Sequence, residues 1–246
     1  MEIRGKVAFV TGSKRIGGVV STALGRRGAK VALTYNRSRE QAEETAKEVR
    51  STGQEAMVLN ADLSQGPAIG EVVRQISKRW GGIDILINLA SIYKAKPLEE
   101  ITQGDWDDNM NVNLRSAFLC AQAVMPAMRE KGCGRIINFA DWTAASGRPR
   151  YKGYLPYYVS KVGVIGLTEA LALELAPFNI LVNAIAPGPI LPPPDLTVEE
   201  VAKIKIVTPL GRWGGEEQIV TAVISLIEND FITGECLRVD GGRHIY

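Results

Sequence analysis

The chain has 246 residues, of which 46% are hydrophobic and 23% are charged, and this composition excludes a mainly disordered protein. Its net charge is only +2, so the sequence gives no indication of binding to nucleic acid or to an anionic membrane surface. No apolar run reaches the roughly 18 residues of a membrane span, and the N-terminus does not resemble a signal peptide. We therefore expect one domain over residues 1–246, located in the cytoplasm. A single histidine and no metal-ligand spacing predict no metal site.

The predicted elements alternate between strand and helix along the chain. Strands are predicted at residues 6–10, 30–35, 55–59, 83–87, 135–139, 180–185 and 235–239. Helices are predicted at residues 17–28 and 38–51, in a segment ending near residue 80, and at residues 109–131 and 157–176. The strands are apolar runs without strict alternation, as is typical of strands buried on both faces. This order predicts an α/β fold, a doubly wound parallel seven-stranded sheet with helices on both faces.

A glycine-rich turn follows the first predicted strand and reads Thr11-Gly12-Ser13-Lys14-Arg15-Ile16-Gly17-Gly18. Glycines let the backbone approach a pyrophosphate, and the N-terminus of the following helix favours negative charge. A tight turn would need glycine in any case. Between the first strand and the first helix of an α/β chain, however, the pattern favours a dinucleotide site.

The second predicted strand ends without the acidic residue that often binds the ribose hydroxyls of such a cofactor. Arg37 would instead clamp a 2′-phosphate, Ser38 would donate a hydrogen bond to it, and Lys14 or Arg15 would add positive charge. The alternative is that these side chains are solvated surface groups. Together they predict NADPH rather than NADH.

Tyr157 and Lys161 are four residues apart and share one face of a predicted helix. A buried ammonium beside a phenol would lower the pKa of that phenol and so prepare it for proton transfer. The same spacing is common by chance, and Tyr154 and Tyr158 lie close by. The position after the fifth strand of a nucleotide-binding sheet is what favours a catalytic pair.

Several ordered motifs resemble the short-chain dehydrogenase/reductase family over essentially the whole chain. They are Thr11-Gly12 with Gly17, Asn60-Ala61-Asp62-Leu63, Asn88-Leu89-Ala90-Ser91, Asn113, Tyr157 with Lys161, Pro187-Gly188, and Val239-Asp240-Gly241-Gly242. The resemblance implies a Rossmann fold, a homotetramer, catalysis by Tyr157, Lys161 and Asn113, and contact between Asp62 and the adenine. The expected cofactor residues are Gly12, Ser13, Lys14, Arg15, Ile16, Gly17, Arg37, Ser38, Asp62, Leu63, Asn88, Ala90, Lys161, Pro187 and Gly188.

Asp141 stands where the family has its catalytic serine. A hydroxyl donates a hydrogen bond to a ketone oxygen, whereas an ionised carboxylate only accepts one. Asp141 therefore favours a substrate that carries N–H donors or gains a proton at nitrogen. The alternative is that Asp141 caps a helix and that Thr143 or Ser146 supplies the hydroxyl.

The pteridine reductase branch of the family is similar at Asp141, at Lys14-Arg15 and at Ala90-Ser91-Ile92-Tyr93. This resemblance implies that Ser91, Tyr93, Asp141 and Tyr157 contact the substrate, with Tyr93 stacked on the pterin ring. Tyr93 would otherwise be an ordinary loop aromatic. A basic insertion at residues 147–153 would either attract an acidic substrate tail or be simply solvated.

These observations predict NADPH-dependent reduction of a C=N bond in a small dihydropteridine-like molecule. Tyr157 would supply the proton, aided by Lys161, Asn113 and Asp141, and the proline-rich loop at residues 187–194 would fold over the site. One alternative is a carbonyl or 3-oxoacyl-thioester reductase that uses Thr143 or Ser146. Another is a non-catalytic NADPH-binding sensor.

Overall fold

The computed structural model describes residues 1–193 and 196–245. Its strands are β1 (Val7–Thr11), β2 (Lys30–Tyr35), β3 (Ala56–Asn60), β4 (Ile85–Asn88), β5 (Gly134–Phe139), β6 (Ile180–Pro187) and β7 (Cys236–Val239). They form one parallel sheet in the order β3-β2-β1-β4-β5-β6-β7. The predicted doubly wound, Rossmann-type fold is confirmed.

The helices run antiparallel to the strands in the crossover connections that a parallel sheet requires. They are α1 (Ile16–Arg26), α2 (Arg39–Ser51), α3 (Gly66–Trp80), α4 (Gln103–Asn109), α5 (Ser116–Lys131), α6 (Trp142–Ala145), α7 (Leu155–Leu175), α8 (Val198–Ile206) and α9 (Glu216–Glu228). A π-helical segment, Met110–Arg115, joins α4 to α5. Short 3-10 turns occupy Leu98–Glu100, Ala176–Phe178 and Arg243–Ile245. No helix in the described ranges is long and apolar enough to cross a membrane.

Each face of the sheet has its own apolar core because successive side chains of a strand point to opposite faces. In β1, Ala8 and Val10 pack with residues of α1, α2 and α9, whereas Val7 and Phe9 pack with residues of α3, α5 and α7. This burial on both faces explains why the strand sequences are continuous apolar runs.

The prediction of one long helix over residues 109–131 is wrong at its start, because the helical segment begins at Gln103 and is divided into α4, the π-helical segment and α5. Helix α4 begins earlier, where Thr102 and Asp105 form a capping box: the Thr102 hydroxyl accepts from the Asp105 N–H, and the Asp105 carboxylate accepts from the Thr102 N–H. Helices α8 and α9 had no predicted counterpart. The π-helical segment matters for function because it contains Asn113.

The strand order reverses beside β1, which pairs with β2 on one side and β4 on the other. The register aligns Thr11 with Asn88, and Asn88 with Asn138, at the carboxyl ends of three neighbouring strands. The segments that follow these strands therefore meet at the switch point where such folds bind ligands.

Candidate active site

The glycine-rich turn has the geometry of a cradle for a negatively charged group. Gly12 has φ +91°, in the left-handed region that favours glycine, and a Cβ at Gly17 would lie 2.1 Å from the Gly12 carbonyl oxygen. Helix α1 begins at Ile16 with no side-chain cap and no acidic residue in its first turn. The buried Ser13 hydroxyl has no hydrogen-bond partner in the described structure. A pyrophosphate-bearing ligand fits these features.

The cations near the turn differ in what they contact. Arg15 donates to the carbonyl oxygens of Leu191 and Pro192 at 3.2 and 3.1 Å, so it links the turn to the segment after β6. Lys14 and Arg37 are exposed, and their side chains have no hydrogen bond or ion pair within residues 1–193 and 196–245. Ser38, beside Arg37, is partly buried and precedes α2. Lys14, Arg37 and Ser38 are therefore available to a ligand phosphate.

Asp62 and Leu63 follow β3. The Asp62 carboxylate is exposed and accepts hydrogen bonds from the N–H and hydroxyl of Ser64 at 3.0 and 2.8 Å, while Leu63 is buried in the core. The local turn thus fixes the Asp62 carboxylate at the surface, where it is accessible to an adenine amine.

Asn88 performs a structural task. It is buried, and its amide nitrogen donates to the Asn138 side chain at 2.9 Å across the β4–β5 pair. Beyond it, the N–H groups of Leu89 and Ala90 donate to the Thr11 hydroxyl at 2.9 and 3.1 Å. These bonds hold the turn after β4 against the end of β1. The predicted cofactor contacts of Asn88 and Ala90 remain predictions.

Pro187 and Gly188 end β6. A Cβ at Gly188 would lie 2.5 Å from the Cβ of Asp240, so the close packing of β6 on the C-terminal turn explains this glycine by itself. The following segment reaches the glycine-rich turn through Arg15, as described above. Pro194, the last residue of the predicted covering loop, lies outside the described residues.

Asp141 and Tyr157 are brought together, although they are sixteen residues apart in sequence. The Tyr157 hydroxyl donates to one Asp141 carboxylate oxygen at 3.0 Å. The other carboxylate oxygen accepts from the N–H and hydroxyl of Thr143 at 2.8 and 2.6 Å and so caps α6. Asp141 is therefore both the helix cap and the neighbour of Tyr157.

The two hydroxyls considered as substitutes for a catalytic serine are already engaged. Thr143 donates to Asp141, and Ser146 donates to the Trp142 carbonyl oxygen at 2.6 Å. Each hydroxyl proton therefore has an acceptor inside α6 or its cap. Asp141 is the residue of this segment that contacts Tyr157.

The prediction that Lys161 lowers the pKa of Tyr157 is wrong for this structure. Burial raises the pKa of Tyr157 well above its ordinary value, and the neighbouring Asp141 carboxylate raises it further. The buried Lys161 ammonium donates to the Phe139 carbonyl oxygen at 2.7 Å and lies 5.7 Å from the centre of the Tyr157 ring. Burial lowers the pKa of Lys161 to about 8, against the opposing effect of Asp141.

Asn113 is 3% exposed and joins three segments of the site. Its side-chain oxygen accepts from the Ile92 N–H at 2.8 Å, and its amide nitrogen donates to the Ile92 carbonyl at 3.1 Å. The same nitrogen donates to Asn109 and to the Ser160 hydroxyl at 3.3 and 3.0 Å. The π-helical segment is thereby fixed to α7 and to the loop that carries Tyr93.

Tyr93 is 54% exposed, and its ring contacts the site. It stacks on Tyr154 with centroids 4.4 Å apart and meets Tyr157 edge-on at 4.7 Å. Ser91 is exposed, and its hydroxyl donates to the Ile92 carbonyl at 3.5 Å. Tyr154 had not been predicted as a site residue, although its position three residues before Tyr157 places both on one helical face.

Comparisons with known proteins match the chain to oxidoreductases over nearly its whole length. A family described as enoyl-(acyl carrier protein) reductase matches residues 10–244. The 3-oxoacyl-[acyl-carrier-protein] reductase FabG of Staphylococcus epidermidis is 34% identical over 245 residues, covering 98% of this chain and 99% of that protein. A (2S)-[(R)-hydroxy(phenyl)methyl]succinyl-CoA dehydrogenase subunit of Thauera aromatica is also 34% identical, over 100% of this chain and 99% of that one.

Solved structures with a closely similar fold also cover nearly the whole chain. A short-chain dehydrogenase/reductase from Serratia marcescens superposes with a TM-score of 0.91 at 35% identity, covering 99% of this chain and 100% of that one. A blue fluorescent protein from a metagenomic library, solved in complex with NADPH, has a TM-score of 0.90 at 33% identity, with 99% of both chains covered.

Proposed function

Because the chain belongs to the short-chain dehydrogenase/reductase family of NAD(P)H-dependent oxidoreductases, we propose that it is an NADPH-dependent reductase of a small molecule in which Tyr157 protonates the substrate. The observation that carries the proposal is the cluster formed by Tyr157, Asp141 and the buried Lys161, which lies at the same edge of the sheet as the glycine-rich turn. A non-catalytic NADPH-binding sensor would not need to keep an ammonium buried beside a phenol, because burying a charge is costly.

The cofactor proposal rests on the close backbone packing of the glycine-rich turn and on three side chains, Ser13, Lys14 and Arg37, that have no partner in the described structure. Gly12, Ser13 and Gly17 would hold the pyrophosphate, and Lys14 and Arg37 would bind the 2′-phosphate that distinguishes NADPH from NADH. When bound, NADPH supplies the hydride. The related blue fluorescent protein in complex with NADPH adds support.

The pKa shifts suit the direction of reduction. Burial and Asp141 raise the pKa of Tyr157, so its hydroxyl keeps its proton and remains a donor at neutral pH. A substrate oxygen or nitrogen would take the place of Asp141 as the acceptor of that hydrogen bond. Asn113 would act as a positioning residue, since it fixes the Tyr93 loop to α7.

We propose a 3-oxoacyl thioester or a similar carbonyl compound as the first substrate class. The relatives support it, since the Staphylococcus protein is named as a 3-oxoacyl-[acyl-carrier-protein] reductase and the Thauera protein as a dehydrogenase of a CoA thioester. In this class the Tyr157 hydroxyl would be the hydrogen-bond donor to the carbonyl oxygen, because Thr143 and Ser146 are engaged elsewhere.

A second substrate class, a pteridine-like compound with a reducible C=N bond, is favoured by Asp141. A carboxylate beside Tyr157 would accept hydrogen bonds from ring N–H groups, whereas it would repel the negative charge that develops on a carbonyl oxygen. The exposed Tyr93 ring would offer a stacking surface to such a ring system. The comparisons support the carbonyl class better than this one.

One experiment separates the two classes. NADPH oxidation is measured with acetoacetyl-CoA and with dihydrobiopterin, for the wild type, Asp141→Asn and Asp141→Ser. A carbonyl reductase should turn over acetoacetyl-CoA, and Asp141→Ser should improve it by restoring a hydroxyl donor. A C=N reductase should turn over dihydrobiopterin and lose that activity in both variants. The absence of turnover across a wider carbonyl and imine panel would contradict the reductase proposal.

The apolar side chains left exposed on α5 and α7 support the proposed self-association as a homotetramer. Phe118, Val159, Val162 and Leu173 are 39–80% exposed. Light scattering of the wild type should give a mass of four chains, and Leu173→Glu should reduce it. A wild-type mass of one chain would contradict the proposal.

A further inference from the structure

Two arginines flank Trp142, the residue next to Asp141. The guanidinium carbon of Arg150 lies 5.6 Å from the centre of the Trp142 ring, and that of Arg243 lies 5.4 Å from it. Arg150 belongs to the loop between α6 and α7, whereas Arg243 belongs to the C-terminal turn after β7. We call Trp142, Arg150 and Arg243 the tail site.

Neutral groups hold both guanidiniums in place. Arg150 donates to the His244 carbonyl oxygen at 3.3 Å, and Arg243 donates to the Val207 carbonyl oxygen at 2.7 Å. A main-chain carbonyl positions a guanidinium without cancelling its charge, and each guanidinium has five N–H donors. The Nε of Arg150 is buried and has no acceptor among the residues that the structure describes.

The local carboxylate is occupied. Asp240 is buried in the same C-terminal turn, where its two oxygens accept from Gly242 and His244. Within residues 1–193 and 196–245, no ion pair involves Arg150 or Arg243. The tail site therefore combines two cations that lack an ion-pair partner in the described ranges with an unsatisfied buried donor, which is the arrangement that an anion would complete.

Aromatic rings connect the tail site to the proton donor. Tyr151 meets Trp142 edge-on at 6.1 Å and Tyr154 at 6.5 Å, and Tyr154 lies 6.4 Å from Tyr157. Trp142 is buried, but Tyr151 is 46% exposed and Tyr154 is partly exposed. A ligand whose reacting bond lies at Tyr157 would therefore lie along Tyr154 and Tyr151 and end at the two arginines. Tyr93, stacked on Tyr154, lies beside the inner end of the row.

We propose that Arg150 and Arg243 bind the anionic tail of the substrate, a carboxylate or a phosphate, while its reacting bond lies at Tyr157. The proposal rests on the proposed reductase function and adds a requirement for the chemistry of the far end of the substrate. Arg150 and Arg243 are specificity-determining residues in this arrangement, and Trp142 is the surface against which they are held.

A binding measurement tests the tail site without turnover. The full chain is saturated with NADP⁺, so that the cofactor phosphate site is filled, and tryptophan fluorescence is followed during titration with inorganic pyrophosphate or with glutarate. We expect a saturable change in the wild type and in the control Lys152→Gln, which removes an exposed cation of the same loop. Arg150→Gln, Arg243→Gln and Trp142→Phe should lose it. Absence of the change in the wild type, or its persistence in both arginine variants, would overturn the proposal.

Kinetics then identify the source of the anion. Acetoacetyl-CoA is compared with the uncharged acetoacetyl-N-acetylcysteamine, and dihydrofolate with dihydrobiopterin. The comparison uses whichever of these two pairs the enzyme turns over. In that pair, Arg150→Gln should raise KM about tenfold for the anionic compound, acetoacetyl-CoA or dihydrofolate, and leave KM for the uncharged compound unchanged. The kcat should stay within about twofold for both compounds. Arg150→Lys should restore part of the loss. Equal KM changes for both members would overturn the proposal. No turnover of any of these compounds would count against the proposed function, while the fluorescence titration would still decide on the tail site.

Discussion

The cofactor side and the substrate side of the candidate active site differ in how far their polar groups are satisfied within the protein. Around the glycine-rich turn, the Ser13 hydroxyl is buried without a partner, and Lys14 and Arg37 have no partner in the described structure. At the substrate side, the Tyr157 hydroxyl is bonded to Asp141, and the Tyr93 ring is stacked on Tyr154. The cofactor side is thus ready to receive a ligand, whereas the reacting part of a substrate must displace existing contacts around Tyr157. The tail site resembles the cofactor side, because the Arg150 Nε has no acceptor in the described structure.

This difference has an energetic consequence. A group without an internal partner gains the full benefit of a ligand contact, while a hydrogen bond exchanged for another yields only the difference between the two. We therefore expect variants on the cofactor side and at the tail site to change affinity, and variants around Tyr157 to change kcat, pH dependence or stability. The following predictions test that expectation.

The largest effect is expected for Tyr157→Phe. Loss of the proton donor should lower kcat by about 10²–10⁴-fold, while affinity for NADPH should stay within about twofold because the site's phosphate-binding groups are untouched. Initial rates of NADPH oxidation and equilibrium titration with NADPH measure the two quantities. Tyr158→Phe is the control, since that hydroxyl makes no hydrogen bond in the part of the chain described. A kcat within tenfold of the wild type would exclude Tyr157 as the proton donor.

Asn113→Ala should mainly destabilise the fold. The substitution leaves the Ile92 N–H and other buried groups without partners, which should lower the free energy of unfolding by about 1–3 kcal/mol. Urea unfolding measures it. Asn111→Ala, in the same π-helical segment, should cost less than about 0.5 kcal/mol. Equal losses in the two variants would show that Asn113 does not hold the segments together.

Arg37→Gln should weaken the use of NADPH without affecting the use of NADH. Removing a guanidinium that has no partner among the described residues should reduce kcat/KM for NADPH about tenfold and leave that for NADH unchanged. Arg39→Gln, an exposed change at the start of α2, is the matched control. A parallel loss with both cofactors would remove Arg37 from 2′-phosphate recognition.

The sequence predicted the fold well where local pattern and burial agree. The apolar strand runs and the glycine-rich turn are local signals, and every predicted strand is present. Helix α4 was missed because its sequence is polar and its start depends on the Thr102 and Asp105 cap. The contact of Tyr157 with Asp141 and the flanking of Trp142 by Arg150 and Arg243 join distant segments, so no local pattern predicts them.

With a carbonyl substrate, Asp141→Asn should give the smallest change, a shift of the pH profile. Reduction needs the protonated Tyr157 hydroxyl, so the rate falls as pH rises through the pKa of Tyr157. After burial, the Asp141 carboxylate is what raises that pKa, and it also raises the pKa of Lys161 against the larger lowering effect of burial. Replacing it with a neutral amide should lower both pKa values and move the alkaline limb of kcat to lower pH.

The control is Asp107→Asn, which removes an exposed carboxylate of α4 and should leave the alkaline limb in place. A limb that stays fixed or moves to higher pH in Asp141→Asn would mean that Asp141 does not control the protonation of Tyr157, and the contrast drawn between the two sides of the site would then rest on the cofactor side alone.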